Sequence, residues 1–201
     1  MADPIPAGED RVLTVPNLLS VLRLACVPVF LWLLFGRDDR YAAAWLLGAL
    51  GATDWVDGYI ARRFHQVSTV GKVLDPTADR ILLLVGIGAV LVDGAVPTWV
   101  AVAALTREAL VAVAALVLAA MGATRIDVQW VGKAGTFGLM VAFPLFLVAR
   151  SDAGWADTAN TLAWLAAVPG LALGWYAAAA YVPPARTALR AGRRGPSGPA
   201  A

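Results

Sequence analysis

Apolar residues fall in six long blocks, and the breaks between them are short and polar or rich in Gly and Pro. The first block runs from Pro16 to about Phe35 and is interrupted only by Asn17, Ser20 and Arg23. The others run from Tyr41 to Arg62, Val73 to Val92, Thr98 to Met121, Val128 to Ala149 and Asn160 to Tyr181. About twenty apolar residues make a helix of about 30 Å, the thickness of a bilayer's hydrocarbon core. The pattern predicts an all-α integral membrane protein with six transmembrane helices and a short N-terminal interfacial segment. It divides into that segment (1–15), a six-helix domain (16–182) and a basic tail (183–201) that opens on Pro183-Pro184. Pro16 suits a helix start, where the missing N–H has no intrahelical partner to lose.

Composition supports the membrane reading. Of 201 residues, 60% are hydrophobic, and the mean hydropathy of +0.70 is too high for an ordinary soluble domain. The net charge of +2 comes from arginines at loops and in the tail, which suits an anionic lipid surface and not a nucleic acid. Lys and Arg gather at the N-terminal flank, the 62–72 connector, the 122–133 region and the tail, against Arg37, Arg40 and Arg150 on the other side. The positive-inside rule therefore puts both termini at the cytoplasm, in the cell membrane. The lone Cys26 reads as a small buried hydrophobe, and the N-terminus lacks the pattern of a cleaved signal, so the first block is expected to stay as an anchor.

The polar residues that interrupt the apolar blocks carry the chemistry. Asp54, Asp57, Gly58 and Ala61 share one helical face, and Asp75 and Asp79 share a face of the next helix. If the two helices are antiparallel, Asp54 and Asp79 each lie about 12 Å from the turn and the carboxylates can face one another. Such an oxygen cage suits two Mg²⁺ or Mn²⁺ ions, with no His or Cys among the ligands. Gly58, Ala61 and Gly71 leave room for a bulky polar ligand, and Arg62 adds a fork for phosphate oxygens. The plainer alternative is interhelical salt bridges to Arg62, Arg63, Lys72 and Arg80, which would not call for three small residues on the acidic face. His65 has no second histidine to share a metal with.

Asn17, Ser20 and Arg23 share a face of the first helix, with Arg23 either snorkelling to headgroups or turned inward. Arg107 and Glu108 are adjacent and therefore point about 100° apart on a helix, so Arg107 is expected to need another anion. Lys133 either snorkels or faces a ligand, and the small residues Gly132, Ala134 and Gly135 around it suggest open space.

The run from Asp54 to Asp79 matches D-x2-D-G-x2-A-R-x8-G-x3-D-x3-D, eight fixed identities over 26 residues. It resembles the CDP-alcohol phosphatidyltransferases, in particular their glycerophospholipid branch. The resemblance implies transfer of a phosphatidyl group from CDP-diacylglycerol to an alcohol with release of CMP. It further implies two metals on Asp54, Asp57, Asp75 and Asp79, with Asp79 as catalytic base. The nucleotide would lie against Asn17, Asp54, Gly58, Ala61, Arg62 and Gly71, with Arg23 as a further candidate, because Thr14-Val-Pro-Asn17 to Arg23 is similar to the family's first helix. Arg107 and Lys133 would bind the acceptor. The phosphatidylglycerophosphate synthases tend to carry a second lysine where this chain has Gly135, and the vacated space is expected to admit a lipid headgroup. This favours phosphatidylglycerol as acceptor and cardiolipin as product, with glycerol 3-phosphate the alternative acceptor. The resemblance also implies a homodimer among membrane lipids. An ion-coupled transporter is the rival of a different class, disfavoured because all four acids cluster beside one connector instead of spreading through the membrane depth.

Overall fold

In the computed structural model of the chain, the described residues are 15–64, 71–120 and 130–180, excluding the side chains at 15–17, 19, 54–79, 115 and 118–120. Among them are six α-helices, one π-helical turn and no strand. They are α1 (Val15–Leu31) with its π turn (Trp32–Gly36), α2 (Arg40–Phe64), α3 (Gly71–Asp93), α4 (Thr98–Ala120), α5 (Trp130–Ala149) and α6 (Ala156–Ala180). The six apolar blocks therefore correspond to the six helices. Contacts divide the chain into two compact units, Met1–Pro97 with Phe143–Ala163 and Thr98–Ala142 with Trp164–Ala201.

In the first unit α1 packs against α3 and α2. Phe30, Leu34, Val90, Phe146 and Leu147 are fully buried in its core. Pro28 lies inside α1 and cannot donate to the helix ladder, and one turn later the helix widens to a π turn. The Arg37 N–H closes that turn on the Trp32 carbonyl at 3.0 Å, and the Arg37 guanidinium lies 5.4 Å from the centre of the Trp32 ring. The chain then reverses through Asp38, whose φ of 52° is left-handed backbone that Asp tolerates better than most residues. Asp39 caps α2, its Oδ1 accepting the Ala42 N–H at 2.9 Å.

The far end of α3 is tied to this turn. The Arg40 guanidinium makes a two-pronged contact with the Asp93 carboxylate at 3.1 Å on each side, and its Nη1 lies 3.0 Å from Asp38. Asp93 ends α3, where the helix dipole disfavours a negative charge, and its side chain is 4% exposed, so Arg40 supplies the compensation that the helix end does not. The Asp93 hydrogen bond raises the Arg40 pKa above its ordinary value, against the opposing effect of burial. A raised basic pKa gives stability that is present at all lower pH and lost only as pH climbs through the raised value, so the pair holds throughout the neutral range. Gly94, at φ 76°, then terminates α3.

In the second unit α5 and α6 are in backbone contact. A Cβ at Gly135 would fall 2.6 Å from the Gly174 nitrogen and 2.9 Å from the Gly170 carbonyl oxygen. One at Gly138 would fall 3.0 Å from the Ala166 carbonyl oxygen, and one at Gly170 would fall 3.1 Å from the Gly135 carbonyl oxygen. Small residues at such spacing let apolar helices approach where no hydrophobic force from water drives them together. The space expected at Gly135 for a headgroup is thus occupied by the backbone of α6. Trp99 stacks on Trp164 at 5.9 Å, so Trp164 is a packing residue.

The helices α5 and α6 are long and apolar enough to cross a membrane. Large apolar side chains also lie exposed along α1 (Leu18, Leu22, Val29), α4 (Leu110, Val113, Leu116) and α6 (Leu162, Leu165, Val168), as a lipid-facing surface requires. Some boundaries differ from the sequence reading. The first block ends in a π turn, α2 begins at Arg40 and continues to Phe64, and α3 begins at Gly71. Helix α6 begins at Ala156, ahead of the apolar block that opens at Asn160, and Asp157 sits in its first turn, where its charge favours the helix dipole. Residues 1–14, the 65–70 connector with His65, the 121–129 segment and the tail from 181 lie outside the described residues.

The α5–α6 contact carries a prediction. Gly135→Ala forces the two backbones apart and is expected to cost about 1–3 kcal/mol, in the range of overpacked cores. A thermal unfolding scan in detergent checks it. Gly135→Lys is expected to destabilise further and to lower transferase activity on every acceptor, including glycerol 3-phosphate.

Candidate active site

The helix boundaries place the acidic signature on two consecutive helices. Asp54, Asp57, Gly58, Ala61 and Arg62 belong to α2, and Gly71, Asp75 and Asp79 belong to α3. Each pair of aspartates thus has the helical spacing that a shared face requires, and the connector falls between Phe64 and Gly71. The side chains of all eight lie outside the described residues, as does that of Asn17 on α1. Four carboxylates offer only hard oxygen donors, a set that fits Mg²⁺ or Mn²⁺ and not a soft metal. Among the described residues no group of three His, Cys, Asp or Glu side chains is gathered to hold a metal.

The polar face of α1 turns inward. Ser20 is 1% and Arg23 2% exposed on a helix that packs against α3 and α2. Arg23 therefore does not snorkel to the surface, and the inward alternative holds.

Arg107 belongs to the second unit and differs from the sequence expectation. Its Nη1 donates both to the Glu108 carboxylate and to Thr136 Oγ1, the latter at 3.2 Å. Longer contacts run from Nε to the Gly174 carbonyl at 3.4 Å and from Nη2 to the Gly132 carbonyl at 3.5 Å. The anion that Arg107 needs is its own neighbour. Adjacent Cα–Cβ bonds diverge on a helix, but the long side chains of arginine and glutamate bend back far enough to meet. Four of the five guanidinium N–H groups are directed at protein acceptors, with one left on Nη2.

A Cβ at Gly132 would meet the Ala177 Cβ tightly at 3.3 Å and would make only ordinary contact with Arg107 Nη2 at 3.6 Å. Thr136 also donates to the Gly132 carbonyl at 3.1 Å. Glu108 and Thr136 were not singled out by sequence reasoning as partners of Arg107. The available signal was Thr136 four residues after Gly132, which puts its hydroxyl within reach of that carbonyl. Lys133 is exposed.

Comparison with known proteins agrees with the signature. The model of the CDP-alcohol phosphatidyltransferase family matches residues 13–176. The chain is similar to a cardiolipin synthase (CMP-forming) of Streptomyces coelicolor, 42% identical over 187 residues covering 90% of this chain and 87% of the relative. It is also similar to a putative cardiolipin synthase of Mycobacterium tuberculosis, 37% identical across 81% of this chain and 78% of the relative. A CDP-diacylglycerol–glycerol-3-phosphate 3-phosphatidyltransferase of Bacillus subtilis is 31% identical over 66% of this chain and 76% of that protein. With the family model spanning α1 to α6 and the full acidic signature on α2 and α3, the chain belongs to the CDP-alcohol phosphatidyltransferase family.

Proposed function

We propose that this chain transfers the phosphatidyl group of CDP-diacylglycerol to the free hydroxyl of phosphatidylglycerol, giving cardiolipin and CMP. The observation that carries the reading is the complete signature, Asp54 to Asp79, divided between two consecutive helices with two aspartates on each. The acyl chains of both lipids lie in the bilayer, and six membrane spans put both termini and the acidic site at the cytoplasmic face of the cell membrane. Ion-coupled transport has no support beside the family membership.

Asp54, Asp57, Asp75 and Asp79 are the residues that would hold divalent cations. Bound there, Mg²⁺ or Mn²⁺ supplies positive charge against the pyrophosphate oxygens of the donor. The chain's own groups do the rest. Arg62 forks onto phosphate oxygens and offsets charge that develops on the departing CMP. Gly58, Ala61 and Gly71 let the nucleotide approach the helix backbones, with Asn17 and the buried Arg23 on the α1 side. Asp79 accepts the proton of the attacking hydroxyl. A bond forms between that oxygen and the phosphatidyl phosphorus. The bond from the same phosphorus to the bridging oxygen breaks, and CMP leaves with the electron pair.

Charge supports the acceptor. A phosphate monoester such as glycerol 3-phosphate carries a charge near −2 and asks for more cationic partners than the monoanionic diester of phosphatidylglycerol. Arg107 is already neutralised by Glu108, and the second lysine of the monoester pattern is replaced by a packing glycine. What remains is Lys133 and one N–H of Arg107, a modest set suited to the diester. The Bacillus relative keeps glycerol 3-phosphate as the second reading.

Three outcomes are expected. Asp57→Asn and Asp75→Asn each lower CMP release by about two orders of magnitude or more while the unfolding temperature holds, because an amide keeps the shape without the ligand charge. Asp79→Asn lowers kcat by about 10²–10⁴-fold and leaves donor affinity within a few-fold, as loss of a general base does; equal loss of both would make Asp79 chiefly a ligand. Offered radiolabelled CDP-diacylglycerol in detergent with Mg²⁺, the purified chain forms cardiolipin from phosphatidylglycerol. Efficient use of glycerol 3-phosphate with none of phosphatidylglycerol would overturn the acceptor assignment.

A further inference from the structure

The guanidinium of Arg107 is buried, and the partners of its five N–H groups differ in kind. Nη1 gives one N–H to the Glu108 carboxylate and one to Thr136 Oγ1 at 3.2 Å, and Nε turns to the Gly174 carbonyl at 3.4 Å. Nη2 directs one of its two at the Gly132 carbonyl at 3.5 Å, which leaves a single N–H on that nitrogen. Because the guanidinium is planar and rigid, the direction of that last N–H is set by whatever holds Nη1 and Nε.

The holders are not equivalent. Glu108 lies beside Arg107 on α4, so it balances the charge but does not fix it against another helix. The carbonyls of Gly174 and Gly132 lie on other helices, at distances longer than an ordinary N–H···O bond. Thr136 lies within the ordinary range, and among the described residues it is the one side chain of another helix that the guanidinium meets. Its hydroxyl is also oriented. The proton goes to the Gly132 carbonyl at 3.1 Å, so a lone pair faces Arg107. Gly132 and Thr136 stand one turn apart on α5, and Lys133 belongs to that same turn. The hydroxyl therefore registers the guanidinium against the stretch of α5 that carries the second proposed acceptor cation.

We propose that Thr136 is a positioning residue for the acceptor: its hydroxyl fixes the Arg107 guanidinium so that the remaining Nη2 N–H meets a phosphate oxygen of the acceptor. This role rests on the reading of Arg107 as an acceptor-binding residue. With its own proton committed to Gly132, Thr136 acts through Arg107 and not on the substrate. Valine at this position keeps the β-branched shape but accepts no hydrogen bond, so the guanidinium keeps Glu108 and loses its anchor on α5.

Steady-state kinetics of the full chain in detergent micelles with Mg²⁺ test this, with CDP-diacylglycerol as donor and phosphatidylglycerol and glycerol 3-phosphate each titrated as acceptor. T136V is expected to raise the acceptor KM about ten-fold, the size of one lost hydrogen bond to a charged group, while kcat and the donor KM stay within about two-fold. T136S restores the hydroxyl and is expected to bring the acceptor KM back to within about two-fold of wild type. On an R107K background T136V should change the acceptor KM by less than about two-fold, because the fork it holds is gone. A merely structural role would lower the unfolding temperature and kcat of T136V without a selective rise in acceptor KM, and that outcome overturns the proposal, as does a T136S variant that fails to restore the KM. Should T136V not fold, T136A removes the same acceptor atom without adding apolar bulk and is expected to show the same rise. An acceptor KM that R107K leaves at the wild-type value overturns the acceptor-binding reading of Arg107 and the role of Thr136 with it. A raised KM in R107K beside a wild-type KM in folded T136V or T136A overturns the role of Thr136 alone. The KM is read on whichever acceptor turns over, so the choice between phosphatidylglycerol and glycerol 3-phosphate is tested separately.

Discussion

A charge placed among apolar helices must find its counter-charge inside the protein, and the described part of this chain is arranged around that requirement. Arg107 has Glu108, Thr136 and two backbone carbonyls around its guanidinium. Asp93 ends α3 with its carboxylate gripped on both oxygens by Arg40. Removing one member of such a pair strands the other in low dielectric, which costs more than the pair itself contributes. The Arg40–Asp93 pair joins α2 to α3 in one unit, and the other Arg107 hydrogen bonds join α4 to α5 and α6 in the second, so charge satisfaction and helix placement are one constraint.

Close approach of backbones is what allows the Arg107 network to form. Its carbonyl partners, Gly132 and Gly174, lie on α5 and α6, and a guanidinium reaches both only where those helices nearly touch. Gly135, Gly138, Gly170 and Gly174 bring them that close. This gives a different meaning to the glycine that replaces a lysine of the phosphatidylglycerophosphate pattern. Gly135 does not open a pocket. It closes a helix seam, where α6 backbone leaves no room for a side chain.

Polar groups sit at both ends of α2. One end carries Asp54 to Arg62 of the signature, and the other carries the Arg40–Asp93 pair and the lining of a polar cavity. A helix of 25 residues is long enough to hold polar groups at two water–lipid boundaries with an apolar stretch between them.

By itself the sequence determined the helical class, the six apolar blocks and the family, because hydrophobic periodicity and a spaced set of aspartates are local in the chain and survive any arrangement of the helices. It placed the helices correctly to within a few residues, the start of α6 lying earlier than the last apolar block. It left Arg23 open between snorkelling and burial, and it misjudged Arg107 and Gly135. Those three depend on what another helix brings alongside, or on how a long side chain bends. A neighbour at position 108 looks unreachable from helical geometry alone, and a glycine looks like empty space until a second backbone is seen to fill it. Which charges meet, and which small residues are contacts and not cavities, was decided by the tertiary structure, because burial and pairing are properties of helices side by side and not of any one of them.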